Sequence, residues 1–136
     1  MKKLTKIESL ELCRDLFDWL SEHPGKRKFE WPEWRKLEKI YGDFPLHHPC
    51  CKYVKETRGR IDFVQCKFCP LYNYFSGFYS SGRDDETRPC EYSQSPYSYY
   101  LEWLHRSQNA KRIADAARRK IKELMESRAF GPYMFD

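Results

Sequence analysis

With 136 residues, the chain has the length of one domain, long enough to bury about two-thirds of its unfolded surface. One-third of its residues are charged, with a net charge of +5, and both signs alternate along most of the sequence, which argues against a disordered polyelectrolyte. No run approaches the ~20 apolar residues of a membrane-spanning helix, and the Met1-Lys2-Lys3 start leads into an acid-containing amphipathic run in place of a secretory signal. A cytosolic setting follows as the expectation, where clustered cysteines are metal ligands more often than disulfides.

In chain order, Thr5 to His23 is expected to form the first helix. Thr5 and Glu8 have capping-box spacing, while Ile7, Leu10, Cys13, Leu16, Phe17 and Leu20 recur on one face. Cys13 on that face reads as a buried core thiol. Pro24-Gly25 ends the helix. Pro32 is placed to open a short second helix, with Trp31, Trp34, Leu37 and Ile40 on one side and Gly42 as its stop. From Phe44 to Tyr92 no helical period is sustained. The segment holds four prolines, five of the six cysteines and a weak strand candidate at Ile61 to Val64. So long an irregular stretch needs something to hold it. Ser95-Pro96 caps a C-terminal helical region buried through Tyr97, Tyr100, Leu101 and Leu104, with a possible break between His105 and Gln108. Asn109 to Ser127 then has Ile113, Ala117, Ile121 and Leu124 on one face.

The expected architecture is mainly α, with helices at both ends packed around a small irregular or β centre that a metal knuckle stabilises. As one domain it divides into N-terminal helices (1–42), a cysteine-rich centre (43–94), basic C-terminal helices (95–128) and a tail (129–136).

Cys66-Lys67-Phe68-Cys69 is a C-x-x-C knuckle, a spacing that lets one tight turn aim two sulfurs at one point with backbone donors facing them. A tetrahedral ion needs two further ligands. The preferred set is Cys51, Cys66, Cys69 and Cys90. His48, Cys51, Cys66 and Cys69 form the close rival, and Cys50 is a further alternate. Zinc suits thiolate and imidazole ligands, while an iron–sulfur cluster is the lesser alternative. Four protein ligands would leave no position for a catalytic water.

No catalytic motif accompanies the cysteines. The H-x-E element of a zinc deaminase is missing, as are H-E-x-x-H and any glycine-rich phosphate loop. A small metal-dependent nuclease remains a distant alternative and no catalytic residue is assigned. Between His105 and Ala129, eight basic side chains face three acidic ones, an excess equal to the whole net charge. Lys111, Arg112, Arg118, Arg119 and Lys122 are therefore candidates for tracking a nucleic-acid backbone. Tyr72, Tyr74, Phe78, Tyr79 and Arg83 have the composition of a protein-binding surface.

The succession Trp31-Pro32-Glu33-Trp34, Cys51-Lys52-Tyr53, Cys66-Lys67-Phe68-Cys69-Pro70-Leu71, Ser95-Pro96-Tyr97 and Trp103 resembles a loose set of small cysteine-containing, zinc-binding bacteriophage proteins with no established activity. The likeness runs roughly from Leu16 to Met125. In that set a cysteine often stands three residues before the position of Cys51, and His48 takes its place here. The resemblance implies action in the cytoplasm of an infected bacterium. The function expected is a non-enzymatic, zinc-stabilised accessory protein that binds and inhibits a host or immune factor, with nucleic-acid binding through the basic helix as the alternative.

Overall fold

The computed structural model describes residues 2–42, 48–59, 65–77 and 106–128. These residues are mainly helical, and none of them lies in a strand. Among the described residues there are five α-helices, α1 (Lys6–Glu22), α2 (Trp34–Tyr41), α3 (Pro49–Arg58), α4 (Tyr72–Ser76) and α5 (Arg106–Arg128), with 3-10 turns at Lys28–Glu30 and Gln65–Phe68. None of these helices is long and apolar enough to cross a membrane.

Helix α1 begins as its sequence dictates. The Glu8 amide donates to Thr5 Oγ1 at 3.1 Å and the Thr5 amide to Glu8 Oε1 at 3.0 Å, so two otherwise unmet donors are satisfied reciprocally. Thr5→Ala is expected to cost about 1 kcal/mol, read as a lowered urea midpoint at unchanged slope. Glu8 also holds Lys2 Nζ at 2.7 Å and accepts from the Tyr41 hydroxyl at 3.2 Å, fastening the chain start to α2. The Lys2 ammonium is the main reason the Glu8 carboxyl lies below its ordinary pKa.

The core lies between α1 and α5. Leu10, Leu16, Phe17 and Leu20 face Ala110, Ile113, Ala114 and Ala117, all buried. Ala114 and Ala117 are fully covered, and such small side chains at a helix contact let the two axes approach closely. Ile121 and Leu124 extend the same face at its edge. Trp31 and Trp34 join this core as expected, but Pro32 lies in the turn before α2 and Ile40 is 43% exposed. Helix α2 ends at Gly42, whose φ of +86° favours glycine.

Helix α3 is a departure from the sequence expectation, which had no sustained helix in the cysteine-rich segment. Pro49 opens it and Gly59 closes it in the left-handed conformation (φ +84°), its amide donating to the Lys55 carbonyl at 2.7 Å. Six consecutive residues, Pro49 to Val54, are buried, and the exposed ones, Lys55, Thr57 and Arg58, gather in the last turn, so the helix is too short for an apolar stripe to repeat along it. Helix α1 covers one part of α3 and the Gln65–Phe68 turn another. The C-terminal helix is longer than expected and starts within the region read as a possible break. The strand candidate at residues 61–64, the region around Ser95 and Pro96, and the tail lie outside the described residues.

Candidate metal centre

The first half of the centre comes from α1. Cys13 stands among the core leucines on its apolar face and is completely buried. The second half comes from the start of α3. Its N-cap His48 is extended, so the imidazole turns back toward α1, and Cys50 in the first turn points the same way. The Cys13 and Cys50 sulfurs are 3.2 Å apart, and Cys13 Sγ is 3.8 Å from His48 Nδ1. The three donor atoms lie within 4.8 Å of one another, and all three side chains are buried.

His48 is held between aromatic rings. Phe75 of α4 stacks on it at 5.8 Å between centroids, and Phe17 of α1 meets it edge-on at 6.5 Å. These neighbours restrict the plane of the imidazole and make the setting water-poor. Its other nitrogen, Nε2, faces Cys51 Sγ at 3.5 Å.

The C-x-x-C turn adds a further sulfur. That sulfur, Cys69 Sγ, lies outside the 4.8 Å group but near enough to Cys50, His48 and Cys13 to be influenced by them electrostatically. The Leu71 amide donates to Cys69 Sγ at 3.4 Å, the backbone-to-sulfur contact that a metal knuckle requires. Burial, aided by the neighbouring sulfurs, raises the Cys50 pKa well above its ordinary value. The hydrogen bond from Cys50 lowers that of Cys69, against the opposing effect of burial.

A donor set of this kind can hold a metal ion. Two sulfurs on one tetrahedral zinc stand about 3.8 Å apart, and a sulfur and an imidazole nitrogen about 3.5 Å apart, given bonds of roughly 2.3 and 2.0 Å. The 3.8 Å from Cys13 Sγ to His48 Nδ1 falls near the second value, while the 3.2 Å between the Cys13 and Cys50 sulfurs is about 0.6 Å shorter than the first and would widen around an ion. The described cysteines form no disulfides, and 3.2 Å is well beyond a sulfur–sulfur bond of about 2.05 Å.

The residues named from sequence are distributed as follows. His48 and Cys50, both alternates, are in the cluster, and Cys69 is against it. Cys51 lies on the opposite edge of the His48 ring, and Cys66 is buried in the knuckle turn. Cys90 lies outside the described residues. Cys13 is buried as expected and is also a donor of the cluster, a role missing from the sequence reading. Its helix period accounted for it as core, and a partner 37 positions away leaves no local spacing to recognise.

Among the aromatic candidates, Tyr72 is partly buried, and Tyr74 packs on the core beside Phe75 at 5.3 Å between rings. Burial raises the pKa of the Tyr74 phenol, with Arg112 and Arg119 opposing it. Phe78, Tyr79 and Arg83 lie outside the described residues. Of the basic candidates, Lys111 is 3.5 Å from Asp18 Oδ1 and 3.8 Å from Asp115, and Arg118 pairs with both Asp18 and Asp115. Arg112 donates to Asn109 Oδ1 at 3.4 Å, while Arg119 and Lys122 are exposed. Comparison with protein-family models, curated proteins and solved structures finds no match to this chain.

Proposed function

We propose that this protein is a non-enzymatic binding protein whose helices are held in register by one structural zinc ion. The burial of Cys13, His48 and Cys50 is the observation that carries the reading. An ion enclosed by such groups, with a fourth protein ligand, has no place for a reacting water, and its binding energy becomes folding energy. The imidazole and the tight spacing of the donors favour a single ion over an iron–sulfur cluster, which is ordinarily held by four thiolates. The resemblance to small phage proteins supplies the setting: the cytoplasm of an infected bacterium, with a host or immune protein as the target to be occupied and inhibited.

The cation arrangement supports this reading over the tracking of phosphates. Two of the five basic side chains proposed for that role, Lys111 and Arg118, turn to Asp18 of α1 and hold α5 against it. Cobalt substitution tests the structural character of the ion. A four-coordinate cobalt spectrum unmoved by added azide or cyanide is expected. An anion-dependent spectrum would identify an open position and favour the metal-dependent enzyme. Zinc-loaded protein is further expected to capture a saturable protein partner from host lysate. It should show no salt-dependent affinity for random DNA or RNA, and steeply salt-dependent binding would establish the nucleic-acid reading instead.

A further inference from the structure

We propose that Cys13, His48 through Nδ1, Cys50 and Cys69 form the complete tetrahedral shell of one zinc-class divalent ion, and that Cys51 stands outside it as the acceptor for the His48 Nε2 proton. The assignment rests on the metal-centre reading above and specifies its ligands. It starts from the two edges of one imidazole. Nδ1 faces Cys13 Sγ at 3.8 Å, and Nε2 faces Cys51 Sγ at 3.5 Å. A neutral imidazole offers a metal one lone pair, and its other nitrogen keeps a proton that needs an acceptor. The question is therefore which edge holds the ion.

The sulfurs on each edge decide it. On the Nδ1 edge Cys13 and Cys50 are already 3.2 Å apart, and these two sulfurs and His48 lie within 4.8 Å of one another, with Cys69 of the knuckle turn next to that group. Cys69 Sγ stands outside the 4.8 Å group, and its closing in on an ion would complete a tetrahedron of three sulfurs and one nitrogen there. Cys69 is prepared for the role by the Leu71 amide, which stabilises negative charge on sulfur while leaving lone pairs for the ion. Cys50 and Cys51 divide the work because successive residues of a helix point about 100° apart. Cys51 sits one turn after His48, where it meets the far edge of the ring. The four ligands then come from α1, the start of α3 and the knuckle turn, so one ion ties together three elements distant in sequence.

Cobalt loading of the full chain tests this, because the thiolate-to-cobalt charge-transfer intensity counts the sulfurs bound. Cys13→Ser, Cys50→Ser and Cys69→Ser are each expected to lose about a third of that intensity. Cys51→Ser should keep all of it and weaken metal affinity by roughly 10- to 100-fold, as the loss of an outer partner does. If Cys51→Ser loses a third while Cys13→Ser keeps everything, the ion sits on the Nε2 edge. The ligand assignment then fails and the metal reading stands. A wild-type chain that binds neither cobalt nor zinc would overturn the metal reading itself. Should a variant fail to fold, the ¹⁵N shifts of His48 in the zinc-loaded wild type decide. A metallated Nδ1 with a protonated Nε2 is expected, and the reverse pattern overturns the proposal.

Discussion

Cys13→Ala is expected to yield protein without bound zinc and with a transition lowered by roughly 15 °C or lost altogether. The magnitude follows from two scales. Structural zinc contributes about 10 kcal/mol or more at neutral pH, while a whole domain is stable by only about 5–15 kcal/mol. Loss of about 4 kcal/mol already lowers the midpoint by roughly 15 °C in a domain of this size. The buried sulfur itself is a small term, on the order of 1 kcal/mol for a side chain of that volume. The two contributions separate under a strong chelator. The wild type should then fall almost to the level of the variant, leaving only the packing difference. If Cys13→Ala unfolds with the wild type in zinc-saturated buffer, Cys13 is a core thiol and nothing more.

Phe75→Ala should be the next most damaging change, at about 3–5 kcal/mol by urea denaturation in the presence of zinc. Phe75 is 1% exposed and belongs to the core that α1 and α5 share. Its ring also stacks on His48, so the cavity opens beside the centre. Metal affinity, read by chelator competition, is expected to fall along with stability because the imidazole loses one of the surfaces that orient it. Phe75→Leu should restore most of both. A Phe75→Ala protein that loses stability but binds zinc as tightly as the wild type would show that the ring packs the core without steering the ligand.

The legible parts of the fold are those whose determinants are close in sequence. The Thr5 and Glu8 cap, the apolar stripe of α1 and the Ile113 to Leu124 face of α5 each repeat within a turn or two, and each is found where the spacing puts it. Helix α3 was hidden because its buried residues run continuously from Pro49 to Val54 and its exposed ones fall in the last turn, which leaves no stripe that repeats over several turns. Ile40 fails for a related reason. A face of nearly three turns, from Trp31 to Ile40, cannot be assumed from a two-turn helix, and its last member turns outward.

The candidate centre was legible as a region and not as a ligand set. Of the donor group, His48 and Cys50 were named only as alternates, and the preferred ligands Cys51, Cys66 and Cys69 are not in it. Spacing alone could not tell which of Cys50 and Cys51 faces α1, since that depends on how α3 is rotated in its tertiary setting. Cys13 satisfied the helix pattern so well as a core residue that nothing local set it apart. Its chemistry appears only when α3 is laid against α1 and the Cys50 sulfur arrives 3.2 Å away.

Elemental analysis of the purified, folded chain bears most directly on the centre. About one zinc per chain is expected, released by chelator together with the cooperative transition. A well-folded sample that carries neither zinc nor iron, and whose melting is indifferent to chelator, would contradict the presence of a metal centre.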